Sequence, residues 1–325
     1  MPTILLTEQV HPDAIARLAR EPDFRVIEGV VAGQDAFAEA LAIADAVGVR
    51  IRPIDAAMMG RAPRLRVIAK HGVGTDNIDL GAAAKRGILV LNTPDANKVA
   101  VAEHAMALML ALAKQLARYD RALRSGDWKF RDRLEAGELA GQTLAILGFG
   151  RSGQELARRA RCFDMRILAW GRTINREVAA SMGVEIAPDL EVAVAVADVV
   201  SIHMPRLASG GLLLGREMLA RFKPGALLIN CARGGLVDES ALADALNSGL
   251  IAGAGVDVFE HEPPDAGHPL LCVDPERVIL TPHSAGNTRE ASRRMGMEMA
   301  DNIIAGLAGR HCASRVVVAA TGRGQ

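Results

Sequence analysis

The sequence is short of cysteine, and the few it has are far apart. Cys162, Cys231, Cys272 and Cys312 occur in 325 residues with no C-x-x-C pair. That scatter excludes a disulfide framework and offers no thiolate metal site, so reduced, mostly buried thiols of a cytoplasmic protein are expected. A surplus of one charge is also missing. The 38 basic and 38 acidic residues give a net charge of zero and a pI of about 7.1. Neither a nucleic-acid partner nor a membrane-surface helix is expected, although local clusters can still hold small acidic ligands. Long hydrophobic runs are absent too. The most apolar helical stretch, Val99 to Ala113, contains Glu103 and His104 and is too short and polar to span a bilayer. Met1-Pro2-Thr3 leads straight into a strand pattern, without the flank or apolar core of a signal peptide.

Half of the residues are apolar and 23% are charged, and the length suffices for two domains with good cores. Short apolar runs alternate with amphipathic segments. Strands are expected at Thr3–Leu6, Phe24–Glu28, Ala46–Arg50, Leu65–Ala69 and Ile88–Leu91, with helices at Pro12–Arg20 and Asp35–Ala42. Continuous apolar strands between helices indicate a parallel sheet covered on both faces. From Val99 one long helix is expected to run through Ala117 and toward Leu123. It is apolar nearly all round and therefore buried between domains or subunits. A second alternating run has strands at Thr143–Leu147, Met165–Trp170, Val199–His203, Ala226–Asn230, Ile251–Val256 and Val278–Leu280. A helix from Arg289 to Leu307 and an extended tail, Arg315–Ala320, follow. The fold class is α/β, with two doubly wound parallel-sheet domains.

Gly148-Phe149-Gly150-Arg151-Ser152-Gly153 matches G-x-G-x-x-G, with a strand before it and a helical pattern after it. In that context the glycines let the backbone approach a dinucleotide pyrophosphate at a helix N-terminus. An NAD site usually carries an acid at the end of the next strand, for the ribose hydroxyls. Here Gly171 takes that position, followed by Arg172 and Thr173. Loss of the carboxylate and gain of an Arg favour NADP over NAD.

Four further residues follow strands of the second run: Arg233, Asp257, Glu262 and His283. A His beside a carboxylate suits a general acid near neutral pH. The planar donor fork of Arg233 suits a substrate carboxylate. His203 and His261 lie nearby and are easily mistaken for the acid.

Together these segments resemble the D-2-hydroxyacid dehydrogenase family, which includes 3-phosphoglycerate dehydrogenases and glyoxylate/hydroxypyruvate reductases. The matching stretches are Lys70–Asn77, Gly148–Gly153, Lys223–Glu239, Val256–Pro264 and Thr281–Gly286. The resemblance implies that His283 donates the proton to the keto oxygen, that Glu262 bonds His283 and raises its pKa, and that Arg233 grips the carboxylate. It implies that the backbone of Val73 and Gly74 holds the same carboxylate from the other domain, and that Asp257 bonds the nicotinamide carboxamide. Met204, Cys231, Ala232 and Gly286 join Gly148, Gly150, Arg151, Ser152, Gly153, Arg172 and Thr173 around the cofactor. A Rossmann cofactor domain, residues 99–286, is implied as an insertion in a flavodoxin-like substrate domain, residues 1–98 plus 287–325. A dimerisation segment near residues 100–140 is implied as well, making a homodimer. No metal is implied.

In the 3-phosphoglycerate dehydrogenases, basic residues at the positions of Arg50 and Lys70 reach the substrate phosphate. Arg50, Arg52 and Lys70 therefore bind an anionic substrate tail or are simply solvated strand-end charges. The stretch His203 to Gly211 keeps the family's His-x-Pro but not its usual continuation, so a different surface loop is expected. With the chain ending at residue 325, serine-sensing C-terminal domains and feedback through them are not expected. Relatives named C-terminal-binding proteins act as corepressors and keep the same triad. An NAD(P)-sensing role without turnover is thus the alternative, and the lack of long disordered ends weighs against it. Oxidation of formate or phosphite is a further alternative, which Glu262 disfavours.

Overall fold

The computed structural model describes residues 1–29, 34–207 and 209–319. Ala208, in the expected surface loop, and Ala320, at the end of the expected tail, lie outside the described residues. The chain divides into two compact units, Met1–Asn97 with Asn287–Gln325, and Lys98–Gly286. The second is therefore an insertion in the first.

The first unit begins with strands β1 (Thr3–Leu6), β2 (Arg25–Glu28), β3 (Ala46–Val49), β4 (Val67–Lys70) and β5 (Leu89–Leu91). The second contributes β6 (Thr143–Leu147), β7 (Arg166–Trp170), β8 (Glu185–Ile186), β9 (Val199–Ile202), β10 (Ala226–Asn230), β11 (Ile251–Val256) and β12 (Val278–Leu280). The C-terminal segment adds β13 (Val316–Val318) to the first unit.

In the first unit the order is β13-β5-β4-β3-β1-β2, all parallel except β13, which runs antiparallel beside β5. Order reverses between β1 and β3, the flavodoxin-like arrangement. All residues of β1, β3 and β4 are buried, because helices cover both faces. Along β1, Ile4 and Leu6 join Met299 and Ile303 of the helix Arg289–Leu307. Leu5 faces the other way, toward Phe37 and Leu41 of the helix Gln34–Ile43.

In the second unit the order is β12-β11-β10-β9-β6-β7-β8, wholly parallel. Its reversal lies between β6 and β9, the Rossmann arrangement extended by one strand. Leu144 and Ile146 pack against Met106 and Met109 of the helix Lys98–Ala113. Ala145 and Leu147 face Val194, Leu242 and Leu246 on the opposite side. Side chains alternate with a period of two, so one strand serves two cores.

Three sequence expectations need correction. The long helix breaks: Lys98–Ala113 and Leu116–Arg124 meet at a 54° bend. Gln115 adopts a left-handed conformation with φ 52°, and its side-chain amide donates to Leu112 O at 3.1 Å. The change of direction follows a change of pattern, from apolar all round to one-sided. Short β8 was not foreseen, since two residues carry no period. The thiols are mostly exposed rather than buried: Cys162, Cys272 and Cys312 are exposed and only Cys231 is buried. Among the described residues no single helix is long and apolar enough to cross a membrane, and the bent pair passes that test only when its two halves are joined.

One buried histidine in each unit stays neutral. His71 is depressed to about 4 by burial and by the Arg50 guanidinium, against its ordinary 6.5. His203 is depressed to about 4 by burial alone. The unfolded chain takes up these protons near pH 6.5, the folded chain only near pH 4. Their contribution is complete above pH 6.5 and is lost as the pH falls through about 4. Each histidine supplies roughly 3 kcal/mol of pH dependence across that window. We expect the urea midpoint to fall between about pH 6.5 and 5, above the range where carboxylates dominate. A midpoint that stays flat there contradicts the assignment.

Candidate active site

The second unit gathers most of the sequence-selected residues at the C-terminal ends of its strands. After β6 the chain turns at Gly148, whose φ is 100°. A Cβ there would stand 2.5 Å from His203 O, so only glycine lets the two loops touch. Gly150 caps the helix Arg151–Arg161 with no side-chain acceptor, and among the described residues no protein acceptor takes the N–H groups of Ser152 and Gly153, which suits an anion. A Cβ on Gly153 would lie 2.4 Å from Gly148 O, which explains the third glycine. Ser152 Oγ lies 3.2 Å from His203 Nδ1, and His203 Nε2 lies 2.9 Å from Ser201 Oγ. Neutral His203 is thus a brace for the glycine loop, not an acid. At the end of β7, Gly171 packs near Gly148, with 3.8 Å between its Cβ position and Gly148 Cα. Arg172 and Thr173 beyond it are exposed, and Met204 after β9 is buried. The glycine loop, the uncapped helix and the exposed Arg172 together fit a dinucleotide.

Beyond β10, Asn230 folds the loop onto itself. Its Oδ1 accepts from Ala232 N at 3.1 Å, and its Nδ2 donates to Arg233 O at 3.1 Å. Arg233 is half-buried, and its Nη1 donates to Ala232 O at 2.6 Å. Gly234 lies hard against the next loop, since a Cβ on it would meet Phe259 O at 1.8 Å. Cys231 and Ala232 are buried beneath. Burial, and then the charge of Asp257, push the Cys231 thiol well above its usual range.

The third element is the pair of loops after β11 and β12. Glu262 Oε2 meets His283 Nδ1 at 2.7 Å, and Glu262 Oε1 accepts from Phe259 N at 3.0 Å. His283 is 51% and Glu262 37% exposed, so the pair is open to a ligand. His261 is exposed and points to no comparable role. Asp257 is fully buried. Its Oδ1 accepts from Thr281 Oγ1 at 2.5 Å and Ser284 N at 2.8 Å, and its Oδ2 from Ala285 N at 2.9 Å. Gly286 follows as the last residue of the unit.

The first unit supplies a separate group. Thr93 Oγ1 accepts from Gly72 N at 3.0 Å, and Asn92 Nδ2 donates to Val73 O at 2.9 Å. Among the described residues no protein acceptor takes the N–H of Val73 or Gly74. Lys70 is buried, and its ammonium donates to Arg50 O and, at 2.6 Å, to Asn77 Oδ1. Its charge is used to hold the loop after β3, which the sequence did not reveal. Glu8 accepts from Arg50 N at 2.9 Å, Ile51 N at 2.7 Å and Arg52 N at 2.5 Å. Burial works against its charge, but Thr7 and those three amides outweigh burial and hold its carboxyl below the usual range. Arg50 Nη2 donates to Asn287 Oδ1 at 3.1 Å, and Arg52 lies over the Phe37 ring at 4.2 Å.

Sequence reading missed Thr281, His104 and the pair Glu239–His268. His104 Nε2 lies 3.1 Å from Thr281 Oγ1. Glu239 accepts from Glu260 N at 2.8 Å and from His268 Nε2 at 2.7 Å, buttressing the loop that carries Glu262. Only the Thr-Pro-His run offered any signal for these.

Comparison with known proteins gives a consistent result. The family model described as D-isomer specific 2-hydroxyacid dehydrogenase, NAD binding domain, matches residues 106–285. The chain is 40% identical over 304 residues to the D-3-phosphoglycerate dehydrogenase of Methanocaldococcus jannaschii, covering 93% of this chain and 57% of that protein. It is 43% identical over 256 residues to the glyoxylate reductase of Korarchaeum cryptofilum, covering 78% and 76% of the two chains. Its structure resembles the NADPH-dependent glyoxylate/hydroxypyruvate reductase of Sinorhizobium meliloti, with a TM-score of 0.82 at 30% identity over 100% and 99% of the chains. The chain spans little more than half the length of the D-3-phosphoglycerate dehydrogenases it matches.

Thiol labelling tests the placement of the β10 loop. Alkylation of the native protein at neutral pH should modify Cys162, Cys272 and Cys312 and spare Cys231. Mass spectrometry should find the fourth label only after denaturation. Rapid labelling of native Cys231 contradicts a buried, protonated thiol.

Proposed function

Because the chain belongs to the D-isomer specific 2-hydroxyacid dehydrogenase family, we propose that it catalyses reversible hydride transfer between a nicotinamide dinucleotide and a small 2-ketoacid. The observation that carries the reading is the 2.7 Å contact of His283 with Glu262, whose loop also lies against Gly234 beside Arg233.

In this reading the bound nicotinamide supplies or accepts the hydride at the substrate's second carbon. Arg233 binds the substrate carboxylate through its donor fork and fixes that carbon. His283 gives its Nε2 proton to the keto oxygen in reduction and takes it back in oxidation. Glu262 accepts from Nδ1, fixing the ring orientation and balancing the charge on the imidazole. The N–H groups of Val73 and Gly74 serve as further donors to the carboxylate. Among the described residues Asp257 Oδ2 takes one donor, Ala285 N, which leaves it acceptor capacity for the nicotinamide carboxamide.

We propose NADP as the preferred cofactor, with NAD second. Gly171 replaces the acid that would repel a 2′-phosphate, and exposed Arg172 is suited to pair with one. The Sinorhizobium relative is NADPH-dependent by name. We propose a homodimer as well, since Leu116, Leu123, Trp128 and Leu134 are exposed on neighbouring segments at 56%, 57%, 63% and 85%. Three exposed reduced thiols suit a cytoplasmic location. An anionic tail on the substrate, as in 3-phosphohydroxypyruvate, rests mainly on Arg50 and Arg52, because two protons of Lys70 are committed inside the protein.

The decisive experiment is a steady-state matrix. It crosses NADH and NADPH with glyoxylate, hydroxypyruvate, 3-phosphohydroxypyruvate, oxaloacetate and sulfopyruvate. Turnover is expected with at least one 2-ketoacid, and His283→Gln should lower it by at least ~100-fold. Cofactor binding without turnover on any of them supports the sensing alternative instead. Arg172→Ala should raise the KM for NADPH about 10-fold more than that for NADH. Arg50→Ala should raise KM for phosphorylated 2-ketoacids selectively, and equal changes for plain ones remove the anionic-tail reading.

A further inference from the structure

Beyond His283, Glu262 and Arg233, a chain of polar side chains runs from the half-buried His104 through Thr281 to the buried Asp257, next to His283. Thr281 Oγ1 lies 2.5 Å from Asp257 Oδ1, and a carboxylate can only accept, so Thr281 spends its single proton there. Its remaining lone pairs face His104 Nε2 at 3.1 Å, so that nitrogen carries the hydrogen and donates. His104 Nε2 is also 3.8 Å from Asp257 Oδ1. The tautomer of His104 is thereby fixed by a carboxylate it does not directly bond.

Asp257 in turn is bonded to residues on both sides of His283. Before His283 it receives Thr281 Oγ1, and after it Ser284 N at 2.8 Å and Ala285 N at 2.9 Å. Its main-chain oxygen receives His283 N itself at 2.8 Å. His283 has a φ of 48°, a region disfavoured for a residue with a Cβ. A strained conformation persists only where its surroundings over-determine it. These bonds supply that determination, and Thr281 is the one among them with a side chain that also reaches a different element, the helix Lys98–Ala113.

We propose that Thr281 and His104 are positioning residues that act through Asp257 to hold the His283 imidazole against Glu262. They touch neither substrate nor cofactor in this proposal. Their removal lets the ring swing while leaving the substrate-binding Arg233 in place, and a misplacement of about 1 Å in a proton donor can cost ~100-fold in rate. The inference rests on the reading of His283 as the proton donor, and its test includes a measurement that needs no turnover.

Thr281→Val removes the hydroxyl at nearly constant shape, and Thr281→Ser restores it. His104→Leu removes the donor, and His104→Gln returns one. In the turnover assay, Thr281→Val and His104→Leu are expected to lower kcat by at least ~10-fold with KM for the 2-ketoacid within about 2-fold, and Ser and Gln to recover most of the loss. The second measurement is nitrogen NMR of histidine-labelled protein, with the His283 signals assigned by His283→Gln. The Nδ1–H bonded to Glu262 should be resolved in the parent and in Thr281→Ser, and broadened or lost in Thr281→Val. An intact Nδ1–H signal in Thr281→Val overturns the inference whether or not any 2-ketoacid is turned over. Equal kcat in Thr281→Val and the parent overturns it as well. Absence of turnover in the parent, with the NMR pattern as expected, instead removes the reaction and leaves the positioning intact.

Discussion

Asp257 puts a carboxylate where water does not reach, and much of the site follows from that. A buried charge is tolerated only when hydrogen bonds replace its hydration. The replacements come from Thr281, Ser284 and Ala285, which belong to one short loop. That loop must therefore fold tightly around the carboxylate, and the residue at its centre is His283. The unusual backbone of His283 is the geometric result of wrapping five residues around one acid. Its contact with Glu262 can then form only in one place.

The sheet explains why the parts meet at all. In a parallel sheet every strand ends at the same edge, so the loops after β6, β7, β9, β10, β11 and β12 converge without any special device. Three close approaches tighten that edge: Gly148 against His203, Gly153 against Gly148, and Gly234 against Phe259. In each a Cβ would collide with main chain, so the glycines bring backbone to backbone. The first two close the glycine turn after β6, and the third brings the Arg233 loop beside the Glu262 loop. Glu239 and His268 support the latter from below.

What the sequence disclosed divides along physical lines. Strands such as Thr143–Leu147 and Ala226–Asn230 were legible because burial on both faces demands unbroken apolar runs. The glycine turn and the Arg, Glu and His positions were legible because each type has few roles at a strand end. The bend at Gln115 was not, since its left-handed backbone belongs to no residue preference that glutamine has. Lys70 read as a ligand-binding charge, but its fate depends on Asn77 and on the carbonyl of Arg50, which no pattern announces. The tie between His104 and Thr281 spans 177 positions and uses residue types common in any helix or loop. Exposure of three cysteines was equally hidden, because a lone thiol carries no periodic mark of its own face.

The parts of the candidate site therefore rest on different kinds of constraint. The His283 loop is over-determined: its carboxylate anchor, its main-chain bonds and its packing all require the same geometry. The side chains after Gly171, Arg172 and Thr173, are instead exposed, and the fold does not constrain them. Gly171 itself is not forced, since a Cβ there would find ordinary contacts at 3.6 Å and beyond. A side chain, including an acid, fits at that position without disturbing the turn at Gly148. The missing carboxylate is thus not a demand of the fold, and the polarity of that corner can change while the catalytic geometry stays fixed. The same contrast holds in the first unit. Glu8 and Lys70 lock the loop after β3 from within, while the guanidinium groups of Arg50 and Arg52 extend from its outer side chains. The backbone that carries those two side chains is therefore held independently of their guanidinium groups.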